Sequence, residues 1–202
     1  MTAPYPAQQF PQPPYETQQF APTGPARTSN LTLLALFAAG AAVSVALGVY
    51  GKLHEPTGIA VSLAGFSSAQ AAKAWLATGA ASLAIVQLIT ALGIYGKLPL
   101  GSGSVVSAVH RWSGRLAFLL AVPVAVHCLY ALGFQTYDAR TLTHSIFGCF
   151  FFGAFAVKML ALPRKGLAGW VLPTLGGLVF TGLVVIWLTS SYWFFVTIGV
   201  QR

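Results

Sequence analysis

VSAVHRWSGRLAFLLAVPVAVHCLYALGFQTYDARTLTHSIFGCFFFGAFAVKML (Val106–Leu160) decides the fold of this chain. It reads as two long apolar helices joined by a short polar hinge around Gln135–Arg140. It holds three of the four histidines and both cysteines. Ionisable side chains are expensive in hydrocarbon, so those that occur inside an apolar span are candidates for function.

Outward from this stretch the same character continues. The 202 residues are 56% hydrophobic and 7% charged, against roughly 25% charged in a soluble domain. Several apolar runs reach the roughly 20 residues that cross a bilayer. The expected fold is an all-α membrane protein, a bundle of about five transmembrane helices. The spans are expected at about 31–50, 71–95, 105–134, 141–162 and 167–198, with Asn30 capping the first. The second is rich in Ala and Gly, which suits close packing inside the bundle. Between the first two spans, GIAVSLAGF (Gly58–Phe66) is too short to cross and is expected to lie at the interface or against the bundle.

Residues 1–29 are rich in Pro and Gln, carry the quasi-repeat AQQFPQ and TQQFAP, and are expected to form a disordered cytoplasmic tail. This tail lacks the charged start and early apolar core of a signal peptide. ALGVYGKL (Ala46–Leu53) and ALGIYGKL (Ala91–Leu98) close the first two spans almost identically. A duplicated hairpin and convergent stop chemistry (Gly to end the helix, Tyr and Lys at the interface) both account for this.

The net charge of +8 is scattered over loops and helix ends. It forms no basic stripe, so nucleic acid is not an expected partner. With the N-terminus inside, Arg27, Lys97, Arg111, Arg115, Lys158, Arg164 and Lys165 fall on the cytoplasmic side, and Lys52, Lys73, Arg140 and Arg202 outside. Seven against four predicts a multi-pass protein of the cell membrane with its N-terminus in the cytoplasm. Glu16, Glu55 and Asp138 are the whole acidic complement, so no paired carboxylates serve acid–base chemistry within the spans. Cys128 and Cys149 sit in apolar runs without CxxC or zinc spacing and read as small buried hydrophobes.

Counting along the helices places His127 about 9 Å and His144 about 4.5 Å below the same surface at 1.5 Å per residue. Matched imidazoles on antiparallel neighbours suit axial ligation of haem b, probed against the plainer reading of two core hydrogen-bonding histidines. Gly148, one turn beyond His144, would let a porphyrin edge approach. Phe151 and its neighbouring phenylalanines would supply a dry wall, and Arg140 would meet the propionates. His110 lies 17 residues before His127, about 25 Å along a straight helix. With Arg111 and Arg115 it makes a polar cluster for a quinone or lipid headgroup, or with Met159 a second haem site. His54, in the loop after the first span, is a reserve ligand.

HRWSGR (His110–Arg115), HCLYALG (His127–Gly133) and THSIFGCFFFGAFAVKM (Thr143–Met159) resemble the His-x-x-x-Gly helices of cytochrome b561-like and ferric-reductase-like membrane proteins, and within them a small actinobacterial branch with a Pro/Gln-rich tail. The resemblance covers about Ser104–Phe195. It implies a bundle that moves electrons through haem b, with His127 and His144 at the ligand positions. The better-known members of the group carry two ligand pairs, whereas this chain lacks the second, and it shows no Gly-rich dinucleotide fingerprint. The expected function is transfer of electrons between quinol or a redox partner and an acceptor, as part of a larger respiratory or redox complex. The alternative is an accessory or assembly subunit without cofactor.

Overall fold

A computed structural model describes residues 28–59, 65–100 and 103–201. All of its regular structure is helical. The helices are α1 (Asn30–Leu53), α2 (Ala69–Ile94), α3 (Ser104–Val126), α4 (Ala139–Ala161), α5 (Val171–Trp187) and α6 (Trp193–Ile198). A π-helical turn, His127–Leu132, extends α3, and another, Leu188–Tyr192, joins α5 to α6. These make five helices long and apolar enough to cross a membrane: Asn30–Leu53, Ala69–Ile94, Ser104–Leu132, Ala139–Ala161 and Val171–Ile198. The expectation of a tail falls mainly on residues 1–27, and that of an interfacial segment mainly on 60–64; both lie outside the described residues.

Boundaries moved where local chemistry decides them. Ser29, not Asn30, caps α1, its hydroxyl accepting from the Thr32 amide at 3.2 Å. The fifth span begins at Val171 rather than 167, because the chain turns through Gly166 (φ +76°) and Thr28 binds that turn. The Thr28 amide donates to the Gly166 carbonyl and its hydroxyl to that of Lys165, both at 3.0 Å. Asp138 caps α4 through a reciprocal capping box with Thr141.

Packing follows residue size. The buried face of α2 is almost wholly alanine (Ala71, Ala72, Ala74, Ala77, Ala80, Ala84), which brings α2 close to α3. α1 lies along α4 at a crossing made by Gly40 and Gly153. A Cβ on Gly153 would come within 2.5 Å of the Gly40 carbonyl oxygen, so glycine is required there. α4 also packs on α5, burying Phe151 and Leu183 together with Ala80, Ala84 and Ala121. Large apolar side chains such as Leu31, Leu119 and Val196 point outward, as a lipid surround requires.

The π turn after α3 is held from outside. Pro123 interrupts the α3 ladder one turn earlier. Past it, the Thr57 and Gly58 amides donate to the Tyr130 and Ala131 carbonyls at 3.3 and 3.1 Å. Gly133 ends the turn at φ +70°, where a side chain would also meet the Gly51 carbonyl oxygen. The loop after α1 thus supplies the donors that the end of the π turn lacks.

Candidate functional site

The five spans line a partly open central cavity of about 90 Å3. Leu47 of α1, Ala77 and Ala80 of α2, Ala121 and Ala125 of α3, and Leu183 and Ile186 of α5 line it. From the hinge and α4 come Gly133, Phe134, Gly148, Phe151 and Phe152. The wall is apolar apart from one imidazole, His144, with Ser145 and the thiols of Cys128 and Cys149. At Gly148 an added Cβ would meet nothing within 4 Å, so that glycine borders open space.

His144 is fixed from behind. Its Nδ1 lies 3.1 Å from the Thr189 hydroxyl oxygen. That hydroxyl already donates to the Val185 carbonyl at 2.7 Å, so it can only accept from the ring. Nδ1 therefore carries the proton, and Nε2 is the acceptor, with the Cys128 thiol within hydrogen-bonding range of it, at 4.0 Å. Thr189 is itself anchored, since the Arg140 guanidinium donates to its carbonyl at 2.8 Å and lies 4.0 Å over the Trp193 ring. Arg140 also sits 3.9 Å from the Asp138 carboxylate, the one ion pair among the described residues. Asp138, outside the membrane-spanning segment, is held below the usual carboxylate range, chiefly because the Thr141 amide donates to it at 2.7 Å.

The structure brings some of the expected site residues together and separates others. His144, Gly148 and Phe151 share the cavity. Arg140 stands behind it, orienting Thr189. His127 lines a separate, smaller crevice between α2 and α3 with Lys73, Leu76 and Pro123. The expected facing pair of imidazoles is thus not assembled; the residue opposite His144 is Cys128.

His54 is committed to the fold. Its ring is stacked between Tyr50 and Tyr130, with centroids 5.0 and 4.9 Å away, and its Nε2 is 3.2 Å from the Tyr130 carbonyl oxygen. His110 lies between α2 and α3. Its Nδ1 is 2.9 Å from the Thr90 hydroxyl, and Gln87 donates to its carbonyl and, at 2.7 Å, to Ser113. Arg111, Arg115 and Met159 are exposed, and Arg115 folds back over Trp112 at 4.9 Å. Reading the sequence missed Thr189 and the contact of Cys128 with His144. Thr189 was findable only as a polar residue in an apolar span; nothing local ties it to His144, 45 residues away.

The donor set bears on what the cavity can hold. Among the described residues no three His, Cys, Asp or Glu side chains converge. A bare metal ion, which needs about four protein ligands in a closed site, has no cage here. A haem brings four ligands of its own and asks the protein for one or two axial donors. An oriented imidazole at a dry, small-residue cavity meets the ligand part of that demand, and a ring would have to widen the cavity to enter.

Fold and site together define a five-span integral membrane protein with one tautomer-fixed imidazole facing an apolar central cavity. The chain belongs to DUF6529, a family of unknown function, whose profile it matches over residues 33–202. No curated protein and no solved structure matches it.

Proposed function

We propose that the protein is a haem b electron carrier of the cell membrane, taking electrons from quinol or a redox partner and passing them to an acceptor in a larger redox system. The observation that supports this reading is the His144 ring at the cavity wall, its Nδ1 held by the Thr189 hydroxyl at 3.1 Å so that Nε2 is the acceptor nitrogen. Histidines that bind metals nearly always donate their other ring N–H to a fixed acceptor in this way.

Bound haem would supply one-electron uptake and release. The chain's own part is to hold, orient and dry it. His144 would hold the iron through Nε2, and Thr189 fixes its tautomer. Arg140 fixes Thr189, within a segment from which its charge can also favour a propionate. Gly148, Ala77, Ala80, Ala121 and Ala125 keep the cavity wall low, so that it can widen for a flat ring, and Phe151 and Phe152 exclude water. Dryness and the hydrogen bond to the ligand set the redox poise.

The test is a reduced-minus-oxidised visible spectrum of detergent-purified protein from haem-replete cells, with haem quantified per chain. About one haem b per chain in the wild type, and less than a tenth of that in His144→Ala, is the expected result. A colourless wild type would overturn the proposal and leave the accessory-subunit alternative.

A further inference from the structure

We propose that the crevice between α2 and α3 binds the phosphate group of an anionic membrane lipid through Lys73 and His127. The crevice is half-open and holds about 50 Å3. Its polar side chains are Lys73 of α2 and His127 at the start of the π turn; alanines, Leu76, Pro123 and Val124 make the rest of its wall. Both polar groups lie at the end of the bundle that carries the α1–α2 and α3–α4 connections. α2 has 26 residues, about 39 Å at 1.5 Å per residue, against roughly 30 Å of hydrocarbon. Lys73 stands four positions after Ala69, the first residue of α2, about 6 Å along the axis. That is the hydrocarbon boundary, where lipid headgroups meet their chains.

Charge selects the ligand. The one ion pair among the described residues joins Arg140 to Asp138, so Lys73 has no carboxylate partner there. No acidic residue lines the crevice. Lys73 acts electrostatically on His127, Cys128 and His144 alike. A cation at the edge of hydrocarbon is costly unless it is paired, and an anion from the bilayer supplies the pair. The ammonium offers three donors and the imidazole at least one; the free oxygens of a phosphodiester accept from both. A neutral carbonyl headgroup would accept the same hydrogen bonds and leave the ammonium charge unbalanced. The crevice opens beside the exposed Pro123 and Val126 of α3. Acyl chains can lie along that face, so only the phosphate has to enter.

Lipid titration of the full-length protein in an uncharged maltoside detergent, read by native mass spectrometry, tests the site. Phosphatidylglycerol should bind about tenfold more tightly than phosphatidylcholine, at one lipid per chain. Lys73→Gln should bring the two lipids within about twofold of each other, and His127→Ala should reduce the preference about threefold. Lys73→Arg, which keeps the charge, should retain it. Lys52→Gln, which removes an exposed charge from the last turn of α1 at the same end of the bundle, should also retain it. Equal binding of the two lipids by the wild type overturns the proposal. So does a preference lost equally in Lys52→Gln and Lys73→Gln, which would make it an effect of net charge alone. Displacement of phosphatidylglycerol by equimolar inorganic phosphate would assign the crevice to the free anion and overturn the lipid. The wild-type preference and the His127→Ala loss decide the matter even if Lys73→Gln does not fold. None of these readouts depends on haem content, so their failure leaves the electron-carrier reading standing.

Discussion

His144 and His110 are held by the same device at two places in the bundle, yet only one of them faces open space. In each, Nδ1 lies against a threonine on a neighbouring helix: Thr189 at 3.1 Å and Thr90 at 2.9 Å. Each threonine hydroxyl is spent on a carbonyl four residues back, Val185 and Val86, both at 2.7 Å. Both rings are therefore protonated at Nδ1, with Nε2 as the acceptor nitrogen. His144 stands at the wall of the central cavity; His110 lines neither that cavity nor the α2–α3 crevice, and is set in a seam with Gln87, Ser113 and Thr90. A fixed tautomer is thus not itself a site. A cavity beside the ring turns it into one.

The most direct way to break this comparison is to remove each ring. His144→Ala should lower haem per chain more than tenfold, and His110→Ala should leave it within twofold of wild type. Haem loss of similar size in both, measured on protein of equal monodispersity, would mean that the two imidazoles serve one cofactor system and that the cavity does not distinguish them.

Replacing the threonines sharpens the same point by removing the hold and leaving the ring. Loss of the partner behind a metal-bound histidine typically costs about 10–100-fold in affinity, and that range is expected for haem binding by Thr189→Val. Thr90→Val should leave haem binding unchanged. Its cost should fall on stability, about 1–3 kcal/mol for a part-buried donor left without an acceptor, read by thermal unfolding in detergent. If Thr189→Val were to cost stability alone, its hydrogen bond would be a core contact of the same kind as that of Thr90.

The sequence made one half of this contrast readable. Five apolar runs gave five spans because hydropathy is a local property, and the ends shifted by only a few residues where Ser29, Asp138 and the Gly166 turn set them. His144, Gly148 and Phe151 were legible as cavity residues because they lie on one face of one helix, four and seven positions apart. His127 was not. Counting residues gives depth, but the direction a side chain takes around the helix axis depends on packing. The Pro123 interruption and the π turn that follows set that direction here. Thr189 and Thr90 were hidden for a different reason: their contacts with the imidazoles are long-range, and an isolated threonine in an apolar span carries no mark of its partner.

A smaller effect is expected at Gln87, which distinguishes the filled seam from the open cavity. Its amide donates to the His110 carbonyl and to the Ser113 hydroxyl, and it packs against Gly114. Both acceptors keep other partners: Ser113 still donates to the Val109 carbonyl at 2.7 Å, and the His110 carbonyl lies within the α3 ladder. Gln87→Leu, close in volume, should therefore cost only about 0.5–1.5 kcal/mol, with haem content and its visible spectrum unaltered. A spectral shift in this variant would place the His110 seam in contact with the cofactor.

The smallest effect is expected where the chain of contacts behind His144 begins, at the surface. Asp138 caps α4 and faces Arg140, which donates to the Thr189 carbonyl. Its carboxyl is lowered in the fold, first by the Thr141 amide, relative to about 3.9 in an unfolded chain. A group lowered by folding binds fewer protons when folded, so its stabilisation is complete above the unfolded value. It is lost as pH falls through the folded one. Asp138→Ala should therefore lower the unfolding temperature slightly at pH 7, and the difference from wild type should shrink as pH falls below 4. Haem content should stay within twofold, because Arg140 keeps its bond to Thr189 and its place over Trp193 without the carboxylate. A difference that persists undiminished at low pH would assign the effect to the neutral capping geometry. Haem loss in Asp138→Ala would show instead that the ion pair at the surface, and not the Trp193 ring, holds Arg140 behind the imidazole.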